Sequence, residues 1–155
     1  MGKGVDWKLL ILLILLCQGA GFFGAIFTTP AIPTWYASLN KPPITPPNWL
    51  FAPMWTSLYT LMGISLYLIW NKKGNQIGKA LFFIQLGLNA LWSWIFFGAH
   101  ELVLALVEIL FLDYFVIATM IEFKSLDKRA FYILFPYLAW LTAATILNLT
   151  VAWLN

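Results

Sequence analysis

Few side chains in this 155-residue chain could do chemistry, and most of them sit in apolar surroundings. There is one histidine, His100, and one cysteine, Cys17, so no disulfide framework or cysteine-based metal site can form within one chain. His100 lies in a short polar link, where a solvated surface histidine is expected and a haem-iron ligand would be poorly placed. No cluster has metal-ligand spacing, and there is no Ser/His/Asp arrangement, phosphate-cradling loop or dinucleotide fingerprint. Two carboxylates, Glu108 and Asp113, fall inside an apolar run, and ionisable groups at such positions are functional-site candidates by default. Five residues apart, they lie about 140° from each other around a helix, so they do not form a close pair and should be neutral or bonded to another helix. What remains is a set of amides and large aromatic rings, including Gln85, Asn89, Trp55, Trp92 and Trp140. Such groups either bond and pack helices to one another or line a ligand pocket.

These residues are spaced as helical stripes. Trp55, Tyr59, Met62, Gly63 and Leu66 follow the three-and-four rule and share one face. Gly63 would let a neighbouring helix or a ligand approach closely, and Pro53 should bend the start of that helix. Gln85, Asn89, Trp92, Ser93 and Phe96 form a second stripe. Two amides within hydrocarbon are costly unless partnered, so this face should point into the bundle. Gln85 reads as interhelical glue, and Asn89 as either glue or a ligand contact. A third stripe holds Trp140, Ala144, Leu147 and Asn148. Ala143 and Ala144 make a small-residue surface that is either a packing seam or the floor of a pocket, and Pro136 should bend this helix as well.

The elements that must position these stripes are membrane spans. The chain is 62% hydrophobic and 10% charged, with a mean hydropathy of +0.84. Soluble domains carry about 25% charged residues, so most of this surface must meet lipid. Segments of roughly 20 apolar residues can cross a bilayer, and only helices satisfy the backbone of such stretches internally. Five qualify: Trp7–Phe27, Pro47–Trp70, Lys79–Gly98, Leu102–Phe123 and Ala130–Leu154. The expected fold is a single all-α domain over residues 1–155, a bundle of five transmembrane helices. The first apolar segment follows Lys3 and Lys8 as in a secretory signal, but no convincing cleavage site follows, and it reads as a retained span. The first link, about Thr28 to Pro46, is long and holds Pro30, Pro33, Pro42, Pro43 and Pro46; links of this length are often functional, and this one should also cap the bundle.

The net charge of +3 and pI of about 9.1 do not indicate nucleic acid, because the bases sit in the links. Lys3, Lys8, Lys72, Lys73, Lys79, Lys124, Lys128 and Arg129 fall on one side of a five-span layout, and Lys41 alone on the other. By the positive-inside rule the N-terminus faces the cytoplasm. Trp7, Trp70 and Trp153 at span ends suit the interfacial belt, and Glu101 suits the start of the fourth span, where the helix dipole favours an anion.

Several stretches together resemble the TspO/MBR family of tryptophan-rich sensory and translocator proteins: Trp35-Tyr-Ala-Ser-Leu-Asn-Lys-Pro42, Thr45-Pro-Pro47, Phe51-Ala-Pro-Met-Trp55, Leu58-Tyr-Thr-Leu-Met-Gly63, Gln85-Leu-Gly-Leu-Asn89, Trp92-Ser93, Phe96-Phe-Gly98, Pro136-Tyr-Leu-Ala-Trp140 and Ala144-Thr-Ile-Leu-Asn148. The resemblance covers nearly the whole chain. It implies a homodimer of five-helix bundles, each with a pocket under the first loop that takes porphyrins and other flat apolar ligands. It also implies a sensing, regulatory or carrier role with no cofactor required. The residues that match the pocket are Tyr36, Trp55, Asn89, Trp140 and Ala144, and Lys41 could pair with a propionate at the water boundary. Some family members degrade porphyrin in light, a role that would make Trp55 and Trp140 catalytic. Some animal members carry a tyrosine and a basic residue near the end of the last helix; here Leu149 follows Asn148 and no base comes after it, which argues against a sterol site of that kind and for a bacterial cell membrane.

Overall fold

The structure, a computed structural model, describes residues 4–155; Lys3, one of the bases that set the expected orientation, lies outside them. Every regular element among the described residues is helical. In chain order they are α1 (Trp7–Ala31), α2 (Trp35–Ser38), α3 (Asn48–Trp70), α4 (Gln76–Ser93), which runs on into a π-helical turn at Trp94–Gly98, α5 (Leu102–Leu126), α6 (Lys128–Ile133) and α7 (Phe135–Leu154).

Among the described residues four helical stretches are long and apolar enough to cross a membrane: Trp7–Ala31, Gln76–Gly98, Leu102–Leu126 and Lys128–Leu154. The chain is therefore a multi-pass integral membrane protein, but the expectation of five such spans needs correction. At 23 residues, α3 is about 34 Å long at 1.5 Å per residue, which is sufficient length. Its first half, however, carries Asn48, Pro53, Thr56, Ser57 and Thr60, and this dilutes its apolar character. The last span is also two helices rather than one. Pro136 has no N–H for the carbonyl of Tyr132, and the chain breaks at Leu134, whose N–H reaches only three residues back, to Phe131 at 3.2 Å. The first span runs four residues past its expected end. Pro30 sits in its last turn, and the Thr34 hydroxyl donates to the Pro30 carbonyl at 2.8 Å, covering an acceptor that the helix end leaves open.

The helices approach where side chains are small. A Cβ on Gly63 would lie 2.6 Å from Cα of Ile14, so α1 and α3 meet backbone to backbone there. The neighbour that uses this space is a helix. Gly21 leaves room for the Tyr59 ring, and Gly24 for Ser93, which bring α1 against α3 and α4. The α3–α4 turn takes a left-handed residue at Gly74, φ 77°, and the Asn75 amide turns back onto the last carbonyls of α3, Ile69 and Trp70. Outward faces are apolar: Phe22, Phe111 and Ile121 are largely exposed, as suits a surface that meets lipid. Trp7 and Trp153 are exposed at span ends, and the half-buried Trp70 ring lies under Lys79 Nζ at 4.8 Å.

Two links are tied by polar contacts. Asp6 accepts from the Leu9 N–H at 3.1 Å as the N-cap of α1, while its own N–H donates to the Tyr67 hydroxyl on α3 at 2.9 Å. Asp127 caps α6 by accepting from the Arg129 N–H at 2.9 Å, holds the Arg129 guanidinium through both oxygens, and meets Lys72 from the second link at 3.3 Å. These partners hold its carboxyl well below the usual carboxylate range. A folded-state pKa below the unfolded one gives stabilisation that is complete above the unfolded value, about 3.9, and fades as pH falls below it. Asp127→Asn, which can still cap α6, should therefore lower stability at neutral pH by up to about 1 kcal/mol, the range of exposed ion pairs such as those to Arg129 and Lys72. Thermal melts in detergent should show the gap between variant and parent closing as pH falls below about 4; a gap that persists in acid would show that the charge is not its source.

Candidate functional site

Three helices meet at a directed chain of hydrogen bonds. The Tyr59 hydroxyl on α3 donates to the Asn89 side-chain oxygen on α4. The Asn89 amide donates to the Tyr137 hydroxyl on α7 at 3.0 Å, and that hydroxyl donates in turn to the Gln85 side-chain oxygen at 2.9 Å. All four side chains are buried. A buried amide costs several kcal/mol when unpaired, and here each amide has a tyrosine. Asn89 thus serves as interhelical glue, as Gln85 does. A second amide repeats the arrangement nearer the cap: the Trp92 indole N–H donates to Asn148 at 3.1 Å, and Asn148 donates to the Leu102 carbonyl on α5 at 3.0 Å.

Around this network lie the large rings. Trp55 stacks on Tyr59, with centroids 5.5 Å apart, and meets Tyr137 edge-on at 6.5 Å. Phe51 stands between the cap and α7, touching Tyr36 at 6.4 Å on one side and Trp140 at 6.3 Å on the other. Tyr36, on α2, is buried against Phe96 and Phe97, and its hydroxyl has no partner among the described residues. The π-helical turn inserts one extra residue per turn, and this buries the consecutive rings Phe96 and Phe97 together beneath the cap.

Of the five residues matched to a pocket, Tyr36 and Trp140 are joined through Phe51, and Trp55 lies against the network that holds Asn89. Trp55, Trp140 and Ala144 are half-buried and accessible, whereas Tyr36 and Asn89 are buried. Lys41 is neither solvated nor free for a propionate. Its ammonium donates to the carbonyls of Tyr36 at 2.6 Å and Leu39 at 3.0 Å and lies 4.8 Å from the centroid of the Tyr36 ring, so it fastens α2. A second tie holds the same loop: the Asn40 N–H donates to the Asn155 side-chain oxygen, and the Asn155 amide donates back to the Asn40 carbonyl, each at 3.0 Å.

The carboxylates part company. Asp113 accepts from the Thr145 hydroxyl on α7 at 2.8 Å, as a bond to another helix would require, while neither oxygen of the buried Glu108 has a partner among the described residues. Glu101 is the N-cap residue of α5 but makes no side-chain bond to it. His100 is exposed, as expected, yet its ring is stacked on Trp35.

Tyr137 was not singled out from the sequence, although it lies three residues before Trp140. Extending that stripe back one turn would have found it. Phe51 precedes the first stripe by one turn in the same way. The π-helical turn left no signal in the apolar periodicity.

The TspO/MBR family profile matches residues 13–154. The chain belongs to the TspO/MBR family. It is 45% identical over 148 residues to the tryptophan-rich protein TspO of Archaeoglobus fulgidus, covering 94% of this chain and 96% of that one. It is 37% identical over 151 residues to the tryptophan-rich sensory protein of Cereibacter sphaeroides, covering 97% and 94%. It is 39% identical over 132 residues to the translocator protein of Homo sapiens, covering 82% and 78%. The TspO/MBR assignment agrees with an all-helical, multi-pass membrane protein.

Tyr137→Phe tests the network. It leaves the Gln85 oxygen and the Asn89 amide each short of a partner, and interhelical bonds in membranes average about 0.6 kcal/mol with a maximum near 1.7. The variant should lose roughly 1–2 kcal/mol of stability in a detergent unfolding titration, and Tyr132→Phe, on the exposed face, should lose nothing measurable. Equal stability of both variants would show that the hydroxyl chain carries no weight.

Proposed function

We propose that this protein binds porphyrins and other flat apolar ligands in the crevice between the cap and the upper parts of α3 and α7, and that it acts as a membrane sensor, regulator or carrier of them. The observation that carries this reading is the placement of Trp55, Trp140 and Ala144. They are half-buried, and Phe51 is the ring between Trp140 and Tyr36. A flat ring that displaced Phe51 would find the indole of Trp140 on one side and the phenol of Tyr36 on the other. Apolar walls with few polar groups suit a tetrapyrrole. The Asn89 amide, with two hydrogens and one bond to Tyr137, keeps a donor for a ligand acceptor. The names of the relatives, sensory protein and translocator protein, agree with a sensing or regulatory role.

In this reading α3 is a fifth span, supported by its length and by its tight contact with α1 at Gly63. The N-terminus is cytoplasmic and the host membrane a bacterial cell membrane, supported by the one-sided distribution of bases. A homodimer is supported by the family resemblance. The alternative function, light- and oxygen-dependent degradation of the porphyrin, is favoured by one observation: both accessible tryptophans, Trp55 and Trp140, lie where a bound photosensitiser would oxidise them.

The test is a protoporphyrin titration of the purified protein, with tryptophan quenching and porphyrin absorption followed in the dark and then in light. Binding predicts saturable quenching with stable absorption, and Trp140→Phe should keep affinity within a few-fold, since a phenyl ring retains most of the stacking area. Protein-dependent bleaching that Trp140→Phe removes would establish the photochemical alternative. Absence of a saturable signal would refute porphyrin as the ligand.

A further inference from the structure

A separate cleft of about 250 Å³ opens on the outer side of the bundle, between the end of α1 and the π-helical turn. Its walls are Ile26, Phe27, Ala31, Trp35 and Phe97, and its rim carries His100 and Thr34. It shares no residue with the crevice assigned above. Drug-sized ligands occupy roughly 300–1,000 Å³, so this cleft is too small for a tetrapyrrole and suits a chain or a small ring.

His100 is held at this rim by an unusual backbone. It takes φ 61°, the one left-handed non-glycine residue among those described; such residues are uncommon, and strained positions cluster at functional sites. Its ring is stacked on Trp35 with centroids 4.1 Å apart and planes 11° from parallel. Trp35 is braced in turn by Phe96 at 5.6 Å and Phe97 at 6.5 Å. The Thr34 hydroxyl is committed to the Pro30 carbonyl, whereas the imidazole nitrogens have no hydrogen-bond partner among the described residues. The cleft therefore has a rigid aromatic wall, an apolar floor and one polar group fixed in place with its bonding capacity unspent. Glu101, the nearest acid along the chain, does not line it.

The surroundings set the direction of approach. Phe22, Phe23 and Ile26 on α1 and Trp94 on the π-helical turn are exposed, so the cleft opens sideways onto the lipid-facing surface. Along α1 the lining runs from Ile26, within the span, to Thr34, beyond its end. An occupant arriving from the bilayer would lie with its tail toward Ile26 and its head at His100.

We propose that this cleft binds a single-chain amphiphile with an acidic head, a long-chain carboxylic acid whose chain lies along Ile26 and Phe27 and whose carboxylate accepts a hydrogen bond from His100. An ionised carboxylate accepts a stronger hydrogen bond from the imidazole N–H than a hydroxyl does.

The protein in phosphatidylcholine nanodiscs, labelled with fluorotryptophan, reports this directly. A Trp35→Phe variant identifies the Trp35 fluorine resonance, and dodecanoic acid and dodecanol are then titrated as probes. The Trp35 resonance should shift saturably with the acid, at a concentration about tenfold below that of the alcohol, the margin of one charge-assisted hydrogen bond. His100→Asn, which tolerates the left-handed backbone, should remove the difference between acid and alcohol. Thr34→Phe, on an exposed rim position, should block the shift with both probes. Equal shifts from acid and alcohol in the parent protein, an acid preference that survives His100→Asn, or no saturable shift at all would each overturn the proposal.

Discussion

Hydrocarbon offers no partner to an amide, and this constraint organises the bundle. Gln85, Asn89 and Asn148 each sit within or at the end of an apolar helix, and none could face lipid without losing several kcal/mol. Each is turned inward to a tyrosine, an indole or a backbone carbonyl on another helix. The helices need not attract one another through the hydrophobic effect, since lipid tails are as apolar as leucine. Small residues at Gly21, Gly24 and Gly63 allow the close approach, and the amides select which faces meet. Rotating α4 by one residue would strand both Gln85 and Asn89.

The same constraint explains why the aromatic residues divide into two populations. Those at span ends, Trp7 and Trp153, stand at the boundary with water. Those between helices, Trp55, Trp92 and Trp140, pack against the hydrogen-bonded core and leave their flat sides half-covered. The cap is built differently. Ile32, Trp35, Tyr36 and Leu39 supply its apolar contacts, and it is fastened by the Lys41 ammonium and by the Asn40–Asn155 pairing.

Much of this was legible in the sequence. The three-and-four spacing placed Trp55 with Tyr59, and Gln85 with Asn89, and the two amides had to face inward because no other face could hold them. Pro136 foretold the break before α7. Other features were not legible. Pro30 suggested that α1 should stop at Phe27, but a proline costs little in a last turn whose carbonyl has a threonine hydroxyl to accept. Lys41 read as a partner for a propionate because pattern does not reveal a lysine folded back on its own turn. Tyr137 was visible in spacing but not in chemistry: its role depends on which amides α4 brings opposite it, a matter of tertiary register. The π-helical turn followed no periodicity that apolar residues could mark.

The pairing of Asn40 with Asn155 joins positions 115 residues apart. During synthesis the first loop emerges early and the end of α7 last, so the loop stays untied while most of the bundle inserts. The Asn40–Asn155 tie therefore forms only once α7 is in place.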